Sequence, residues 1–276
     1  MSQTISDSEL IARYRVPADG SFVLDADPSE AGLLPGKKAS KPFLKEEQQR
    51  LTELQEVLYA QGKHSLLIVF QATDTGGKDG TIKNVMGPLN PQGVVVRSFK
   101  KPTEEELAHD YLWRIHKAVP GKGMIGIFNR SHYEDVIVTK VHGLVDDETI
   151  ERRYGEINAY EKYLTNNGTA VIKFFLHISK DEQKERLQER LDNPDKHWKF
   201  NISDLNERKL WDDYQVTFES ALRECSTTEA PWFTIPANRK WYRNYLIARI
   251  IRITLENLEL EYPPAPPGLE GVVIDD

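Results

Sequence analysis

Residues 64–81 read HSLLIVFQATDTGGKDGT and join a short apolar run to a glycine-rich turn. The run His64–Phe70 is apolar at nearly every position, which is typical of a strand buried on both faces in a parallel sheet. The turn that follows contains one lysine, Lys78, and three glycines, Gly76, Gly77 and Gly80. A helical pattern then begins at Thr81. A strand, a glycine-rich loop and a helix in this order can bind phosphate, because loop N–H groups and the helix N-terminus converge on one anion.

The rest of the chain alternates apolar runs with helical patterns. Further strands are predicted at Gly93–Phe99, Gly123–Asn129, Ala170–Ile178 and Trp232–Ile235. Helices are predicted at Lys45–Gln61, Thr81–Met86, Glu104–Lys117, Asp147–Asn166, Ser179–Leu191, Ser203–Cys225 and Arg239–Leu258. This alternation predicts a three-layer α/β fold, in which a five-stranded, mostly parallel sheet with right-handed crossovers is flanked by helices.

The two ends of the chain differ from the middle. Residues 1–44 are rich in Asp, Ser, Pro and Gly and show no sustained period, so we expect an extended N-terminal arm, with disorder at its start as an alternative. Residues 45–262 form the predicted α/β domain. Residues 263–276, PPAPPGLEGVVIDD, are expected to be a Pro-rich C-terminal tail.

Composition excludes several classes of protein. The chain has 36 Lys and Arg against 43 Asp and Glu, a formal net charge of −7, which argues against a general nucleic-acid coat but permits a locally basic pocket. Cys225 is the only cysteine, so an intramolecular disulfide and a cysteine-rich zinc site are excluded. The sequence shows no signal peptide and no apolar run near the ~18 residues of a membrane span. We therefore expect a cytoplasmic protein.

The glycine-rich loop departs from the Walker A pattern G-x-x-x-x-G-K-[ST] at two positions. Ala72 stands where the first glycine belongs, and Asp79 stands where the Mg²⁺-binding hydroxyl belongs. Asp74 would repel a bound phosphate unless a cation lay between them, so its place suggests Mg²⁺ coordination or positioning of a nucleophile. The alternative is that Asp74 caps a turn and Lys78 is a solvated surface lysine.

Three motifs together resemble the polyphosphate kinase 2 family of polyphosphate:nucleotide phosphotransferases, which are related in fold to thymidylate kinase. They are ATDTGGKDGTIK at residues 72–83, FNRSHYED at 128–135 and KHWK at 196–199. The resemblance covers roughly residues 45–258. It implies a P-loop kinase fold with a helical lid at about 180–210, a homo-oligomer, and Mg²⁺, or Mn²⁺ in its place, as the cofactor.

The second motif indicates the acceptor. Members of the family carry either Asn-Arg-Ser-His-Tyr-Glu-Asp or Asp-Arg-Ser-Trp-Tyr-Asn-Arg, and this chain has Asn129 and Glu134. It thus resembles the group called class III, whose members phosphorylate both AMP and ADP with inorganic polyphosphate as donor. An amide is a weaker Mg²⁺ ligand than a carboxylate, so Asp74 is the better metal candidate and Asn129 the weaker one.

Candidate site residues follow from these motifs. Asp74, Lys78, Arg130 and Glu134 are expected to be catalytic, with Arg130 stabilising charge on the transferring group and Glu134 orienting the acceptor phosphate or a metal-bound water. The expected phosphate and polyphosphate ligands are Gly76, Gly77, Lys78, Gly80, Thr81, Lys83, Arg130, Arg186, Arg190 and Lys196.

Simpler alternatives exist for several of these residues. Arg130 could pair with Glu134, Lys83 could be solvated, and the cations at 180–210 could form i,i+4 pairs with neighbouring acids. The resemblance instead implies that Arg186 and Arg190 share one helix face and contact the phosphates when the lid closes. His132 and His142 match no zinc spacing and are expected to be structural.

Two other functions compete with polyphosphate-dependent transfer to AMP and ADP. An ATP-dependent nucleoside monophosphate kinase of the thymidylate kinase type would be expected to have Gly at position 72 and Ser or Thr at position 79, and the chain has neither. A nucleotide-binding regulatory module without turnover would leave Lys78, Arg130 and the lid cations without an obvious use. The sequence therefore favours polyphosphate-dependent transfer to AMP and ADP.

Overall fold

A five-stranded parallel sheet forms the centre of the molecule, of which the computed structural model describes residues 5–269 and 271–274. Its strands are β1 Ser65–Gln71, β2 Val94–Ser98, β3 Ile125–Asn129, β4 Thr169–His177 and β5 Trp232–Pro236. The spatial order is β2-β3-β1-β4-β5, and every neighbouring pair is parallel. All five predicted strands are present, and the sheet is wholly rather than mostly parallel.

Eleven α-helices are assigned within the described part of the chain. They are α1 Asp7–Tyr14, α2 Lys41–Gln61, α3 Lys78–Met86, α4 Glu104–Leu107, α5 Trp113–His116, α6 Glu134–Val141, α7 Asp147–Asn166, α8 Lys180–Asp192, α9 Ser203–Lys209, α10 Trp211–Cys225 and α11 Lys240–Glu256. Short 3₁₀ helices lie at Pro91–Gly93 and Pro194–Lys199. None of these helices is long and apolar enough to cross a membrane.

The helices cover both faces of the sheet, which makes the predicted three layers. Residues of β1 point alternately to the two sides, so Leu66 and Ile68 enter one apolar core while Leu67 and Val69 enter the other. The first core is completed by α2, α3 and α11, and the second by α6, α7 and α10. Burial of β1 on both faces accounts for its unbroken apolar sequence.

The N-terminal segment contains a helix that the sequence did not predict. Helix α1 begins with a capping box formed by Ser6 and Glu9, and it buries Leu10 and Tyr14. At eight residues it is too short for its period to stand out. The next helix, α2, begins at Lys41 rather than Lys45, with Pro42 in its first turn.

The sequence predictions for the two chain ends fall partly outside the described residues. The possible disorder at the chain start concerns residues 1–4, which lie outside the described residues, as do Glu270, Asp275 and Asp276 of the tail. Residues 263–269 and 271–274 form no helix or strand and are exposed.

Two predicted helices are each divided in two. The helix expected at Glu104–Lys117 is broken between α4 and α5, where the Asp110 carboxylate accepts a bond from the backbone N–H of Leu112 and favours a turn. The helix expected at Ser203–Cys225 is interrupted at Leu210. Helix α6 was not predicted, because only the motif at its start was recognised.

A buried lysine–glutamate pair connects the second core to the sheet. Lys173 lies in the middle of β4 and Glu161 on α7, and their exposed fractions are 0% and 1%. The Lys173 ammonium contacts the Glu161 carboxylate and donates to the hydroxyl of Tyr133 (2.9 Å) and the carbonyl of Cys225 (2.8 Å). Tyr133 in turn donates to Glu161 (2.9 Å). The network joins β4, α7, the end of α10 and the segment after β3.

We expect Lys173→Met to reduce the free energy of unfolding by about 3–5 kcal/mol, because it leaves the Glu161 carboxylate buried without its cation. Adding Glu161→Gln removes that charge at nearly constant shape, so the double variant should recover more than half of the loss. Chemical denaturation of the two variants tests this. Simple addition of two independent losses would contradict a charge-pair role.

Candidate active site

The two sequence motifs meet at the carboxyl ends of neighbouring strands. Phe70 of β1 lies in register with Asn129 of β3, which lies in register with Ser98 of β2. The backbone N–H of Arg130 donates to the carbonyl of Phe70 at 3.1 Å. This edge of an open parallel sheet is where ligands bind. The strand ends therefore bring the glycine-rich loop and Arg130 together, as the sequence predicted.

The loop conformation depends on its glycines. Gly77 has φ of 99°, and a Cβ on Gly76 would lie 2.4 Å from the Cβ of Ala72. Ala72 therefore fits at the position of the usual first glycine because Gly76 has no side chain. Thr75 and Arg130 also adopt positive φ, 62° and 63°. Such strained conformations of non-glycine residues concentrate at functional sites.

Lys78 is partly buried and folds back over the loop. Its ammonium donates to the carbonyl of Ala72 at 3.1 Å. Burial and repulsion from Arg130 lower the pKa of Lys78, while Asp74, Glu134 and Asp79 act in the opposite direction. This geometry differs from that of a solvated surface lysine, which was the alternative for Lys78.

Arg130 pairs with Asp74, not with Glu134. The guanidinium donates to the Asp74 carboxylate at 3.1 Å. Glu134 is the first residue of α6 and is partly buried. Burial raises the pKa of Glu134, whereas the nearby charges of Arg130 and Lys78 act to lower it. The ion pair thus links the two motifs, and Glu134 stays beside it without a direct bond to Arg130.

Asp79 and Asn129 form a contact that the sequence did not indicate. The Asn129 amide donates to the Asp79 carboxylate at 2.6 Å. In a Walker A loop the residue after the lysine offers a hydroxyl to Mg²⁺, and a strand aspartate offers the carboxylate. Here the carboxylate is on the loop and the amide on the strand. The sequence signal for a role of Asp79 in the site was its position directly after Lys78.

The oxygen ligands present fit a magnesium ion shared with phosphate. Within residues 5–269 and 271–274, no group of three His, Cys, Asp or Glu side chains could hold a metal alone. Mg²⁺ is usually bound through one or two carboxylates together with substrate phosphates. Asp74, Asp79 and Asn129 line the same cavity, and the buried hydroxyl of Thr75 has no hydrogen-bond partner there. This set suits Mg²⁺ or Mn²⁺.

A cavity of about 570 Å³ lies over the loop and is called the loop cavity. Its basic side chains outnumber its acidic ones by eight to four, although the whole chain carries a net charge of −7. Most of the predicted phosphate ligands line it, namely Gly76, Gly77, Lys78, Gly80, Arg130, Arg186, Arg190 and Lys196. Lys199 of the KHWK motif lines it as well, as do Lys100 and Lys240, which the sequence did not indicate. Such a concentration of cations suits a polyanion.

Arg186 and Arg190 lie on α8 but make different contacts. Arg186 is buried, pairs with Glu182 at 2.7 Å and donates to the loop carbonyls of Thr75 (3.0 Å) and Gly76 (3.1 Å). Arg190 donates to the carbonyl of Lys199 at 3.0 Å within the expected lid. In this structure Arg186 therefore fixes the loop. Its i,i+4 pair with Glu182 was one of the alternatives considered.

Two predicted phosphate ligands do not line the loop cavity. Thr81 is fully buried, and its hydroxyl donates to the carbonyl of Gly77 at 3.0 Å. Lys83 is exposed on α3. The histidines excluded as zinc ligands have other contacts, since His132 lies 3.2 Å from Glu161 and His142 lies 3.0 Å from Glu207.

A second cavity of about 640 Å³ adjoins the first and is called the aromatic cavity. Five residues line both cavities, namely Asp74, Phe99, Lys100, Arg130 and Asp204. The other walls of the aromatic cavity include Glu134, several aliphatic residues, and the aromatic side chains Trp211, Tyr214 and Phe218. Nine of its 25 lining residues are charged, so the wall combines apolar and aromatic side chains with charged ones. Such a mixed wall suits a small organic ligand that has both an apolar ring and charged groups.

The fold and the site together define a class of protein. A three-layer parallel sheet with a lysine-bearing phosphate loop after its central strand is a P-loop kinase fold. Residues 36–264 match the model of the family Polyphosphate kinase 2 (PPK2), and the chain belongs to this family.

Named relatives agree with this assignment. The chain is 53% identical to an AMP/ADP-polyphosphate phosphotransferase of Meiothermus ruber, over 95% of this chain and 99% of the relative. It is 42% identical to an ADP-polyphosphate phosphotransferase of Rhodopseudomonas palustris, over 82% of each chain. The crystal structure of Polyphosphate Kinase 2 from Arthrobacter aurescens TC1 is similar with a TM-score of 0.90 at 45% identity, covering 95% of this chain and 93% of that one.

We expect Asp74→Asn and Lys78→Ala each to lower the rate of phosphoryl transfer by on the order of 10²-fold or more, because loop charges act on the transition state. Thermal unfolding should change little, since neither side chain belongs to an apolar core. Lys45→Ala, at an exposed position of α2, is the matched control and should retain the rate. Wild-type rates in both loop variants would refute their assigned roles.

Proposed function

We propose that this protein transfers the terminal phosphoryl group of inorganic polyphosphate to AMP and to ADP, producing ADP and ATP reversibly. The observation that carries the proposal is that a strongly basic cavity and an aromatic cavity meet at Asp74 and Arg130. A polyanionic donor and a nucleotide acceptor require two such sites side by side. The printed name of the Meiothermus ruber relative gives the same pair of acceptors.

The loop cavity is assigned to the donor. A chain of phosphates carries a high density of negative charge, which the cations of the loop and the lid would balance. The N–H groups of the loop and the Lys78 ammonium would bind the terminal phosphates. Lys196, Lys199 and Lys240 line the same cavity and would hold the following ones.

The aromatic cavity is assigned to the acceptor nucleotide. Trp211, Tyr214 and Phe218 offer faces on which a nucleobase can stack. Lys100 and Arg114 line the same cavity and supply positive charge for the nucleotide phosphates. The nucleotide would then extend from the aromatic wall towards Arg130.

Transfer requires alignment and charge stabilisation more than covalent chemistry. Asp74 holds the Arg130 guanidinium at the boundary of the two cavities, where the transferring group would pass. Lys78 stabilises the charge that develops on the donor oxygens. Mg²⁺, bound through Asp74 and Asp79 with Asn129 as a weaker amide ligand, would neutralise phosphate charge. Glu134 orients the acceptor from the aromatic cavity.

The decisive assay omits ATP. Purified protein is incubated with Mg²⁺, AMP and long-chain polyphosphate, and nucleotides are followed by chromatography. We expect ADP to appear first and ATP to follow, with both abolished by a chelator. Phosphorylation of AMP only when ATP is supplied would instead identify an ATP-dependent nucleoside monophosphate kinase.

Glu134→Asn should depress the use of AMP more than the use of ADP. A monophosphate is one phosphoryl group shorter than a diphosphate, so its reactive oxygen must be held at a different depth in the same channel. Glu134 lines the aromatic cavity beside Arg130 and is placed to make that contact. Separate kcat/KM values for the two acceptors provide the measurement. Equal losses for AMP and ADP would contradict this role.

Further features belong to the same proposal. The segment at 180–210 is expected to close over the donor as a lid, because Arg190 and Lys196 reach the loop cavity from it. Mn²⁺ is expected to support the reaction when it is supplied in place of Mg²⁺. A homo-oligomer in the cytoplasm remains the prediction from the sequence.

A further inference from the structure

A buried arginine lies directly behind the phosphate loop and takes no part in the site described above. Arg243 is on α11 and has an exposed fraction of 2%. A Cβ placed on Gly77 would lie 2.2 Å from its terminal nitrogen Nη1, so the guanidinium touches the loop backbone. Glycine at position 77 is therefore required twice, by its positive φ and by this close approach.

The hydrogen bonds of Arg243 are incomplete. Its Nε and Nη2 both donate to the side-chain oxygen of Asn244, at 3.1 and 2.9 Å. Nη1 is buried and has no partner within the part of the chain that the structure describes. Buried polar groups in proteins are nearly always hydrogen-bonded, and a buried charge without a partner is costly.

The charge of Arg243 is also not balanced. Arg186 lies beside it, with Nη1 at 3.4 Å from the same Cβ position on Gly77. Glu182, the carboxylate that acts on Arg243, is bonded to Arg186 at 2.7 Å. Burial and repulsion from Arg186 lower the pKa of Arg243 to about 9, against the opposing effect of Glu182. Two guanidinium groups thus share one carboxylate behind the loop.

Another arginine of the same helix shows the contrast. Arg249 is 7% exposed, and its three nitrogens donate to Asp7 (2.8 Å), Tyr245 (3.1 Å) and the carbonyl of Ile5 (2.8 Å). It is a fully partnered structural arginine. Arg243 is buried more deeply but lacks both a carboxylate of its own and, within the described residues, a partner for Nη1.

We propose that Arg243 is a positioning residue of the phosphate loop, whose unbalanced charge is compensated when phosphate binds on the other side of Gly77 and Gly80. The inference rests on the proposed function of the loop as a phosphate site. Arg243 does not line the loop cavity, so it acts through the loop backbone and the field across it, without contacting the phosphate. At such short range, charges in a poorly solvated environment interact strongly.

The first test measures thermal unfolding of the full chain with and without inorganic tripolyphosphate, without nucleotide. Arg243→Met removes the charge at similar side-chain length, so the midpoint without ligand should equal or exceed that of the wild type. The upward shift caused by tripolyphosphate should fall to roughly half or less, because the bound anion no longer compensates a buried cation. Arg249→Met is the matched control, and it should lower the midpoint without ligand but keep the full shift.

The second test separates binding from turnover. Arg243→Met should raise KM for polyphosphate by roughly tenfold and change kcat by less than about threefold, since the charge acts on the bound anion. Arg243→Lys retains a cation and should restore both KM and the tripolyphosphate shift. A purely structural role would not be rescued by charge alone.

Wild-type KM and a full tripolyphosphate shift in Arg243→Met would overturn the proposal. If Arg243→Met does not fold, Arg243→Lys decides, and loss of the shift in that variant would equally overturn it. Failure of the proposed function would look different, because wild-type protein would then make no ADP or ATP from polyphosphate whatever the behaviour of Arg243. The unfolding test would still report whether the loop and Arg243 respond to a phosphate chain.

Discussion

The contact between Lys173 and Glu161 is the constraint on which the geometry of the site depends. Removing both charges from water is costly, and the cost is offset only while the two groups and their hydrogen-bond partners keep one arrangement. Tyr133 belongs to that arrangement and lies three residues after Arg130. The buried network therefore fixes the segment that carries Arg130, and the strained backbone of Arg130 can persist because its surroundings hold it.

The sheet was predictable because its strands are locally encoded. An apolar run such as residues 65–71 is typical of a strand buried between two helical layers. The edge strand β2 is half-buried or exposed, yet its three consecutive valines still identified it as a strand. The helix boundaries were less predictable. The docking of α1 depends on contacts with a distant element, for instance the hydrogen bond between the hydroxyls of Tyr14 and Tyr242.

The candidate site likewise has features that the sequence predicted and features that only the structure shows. Parallel strands end at one edge, so the proximity of the loop and Arg130 follows from motif positions alone. The Asp79–Asn129 contact required the register of β1 and β3, and Arg243 required the packing of α11 against the loop. Arg186 shows the limit of motif reasoning, since its place on a charged helix suggested a mobile ligand while burial makes it a fixed support of the loop.

The first helix of the chain braces α11 from the far end. Asp7 accepts bonds from Arg249 at 2.8 Å and from Arg252 at 2.9 Å, while the opposite end of α11 carries Lys240 and Arg243 at the loop. A segment inserted just before Ser6 would lie within a few residues of this brace. For affinity tags and immobilisation, the exposed tail beginning at residue 263 is therefore the better point of attachment, because it leaves the brace and the helix behind the loop untouched.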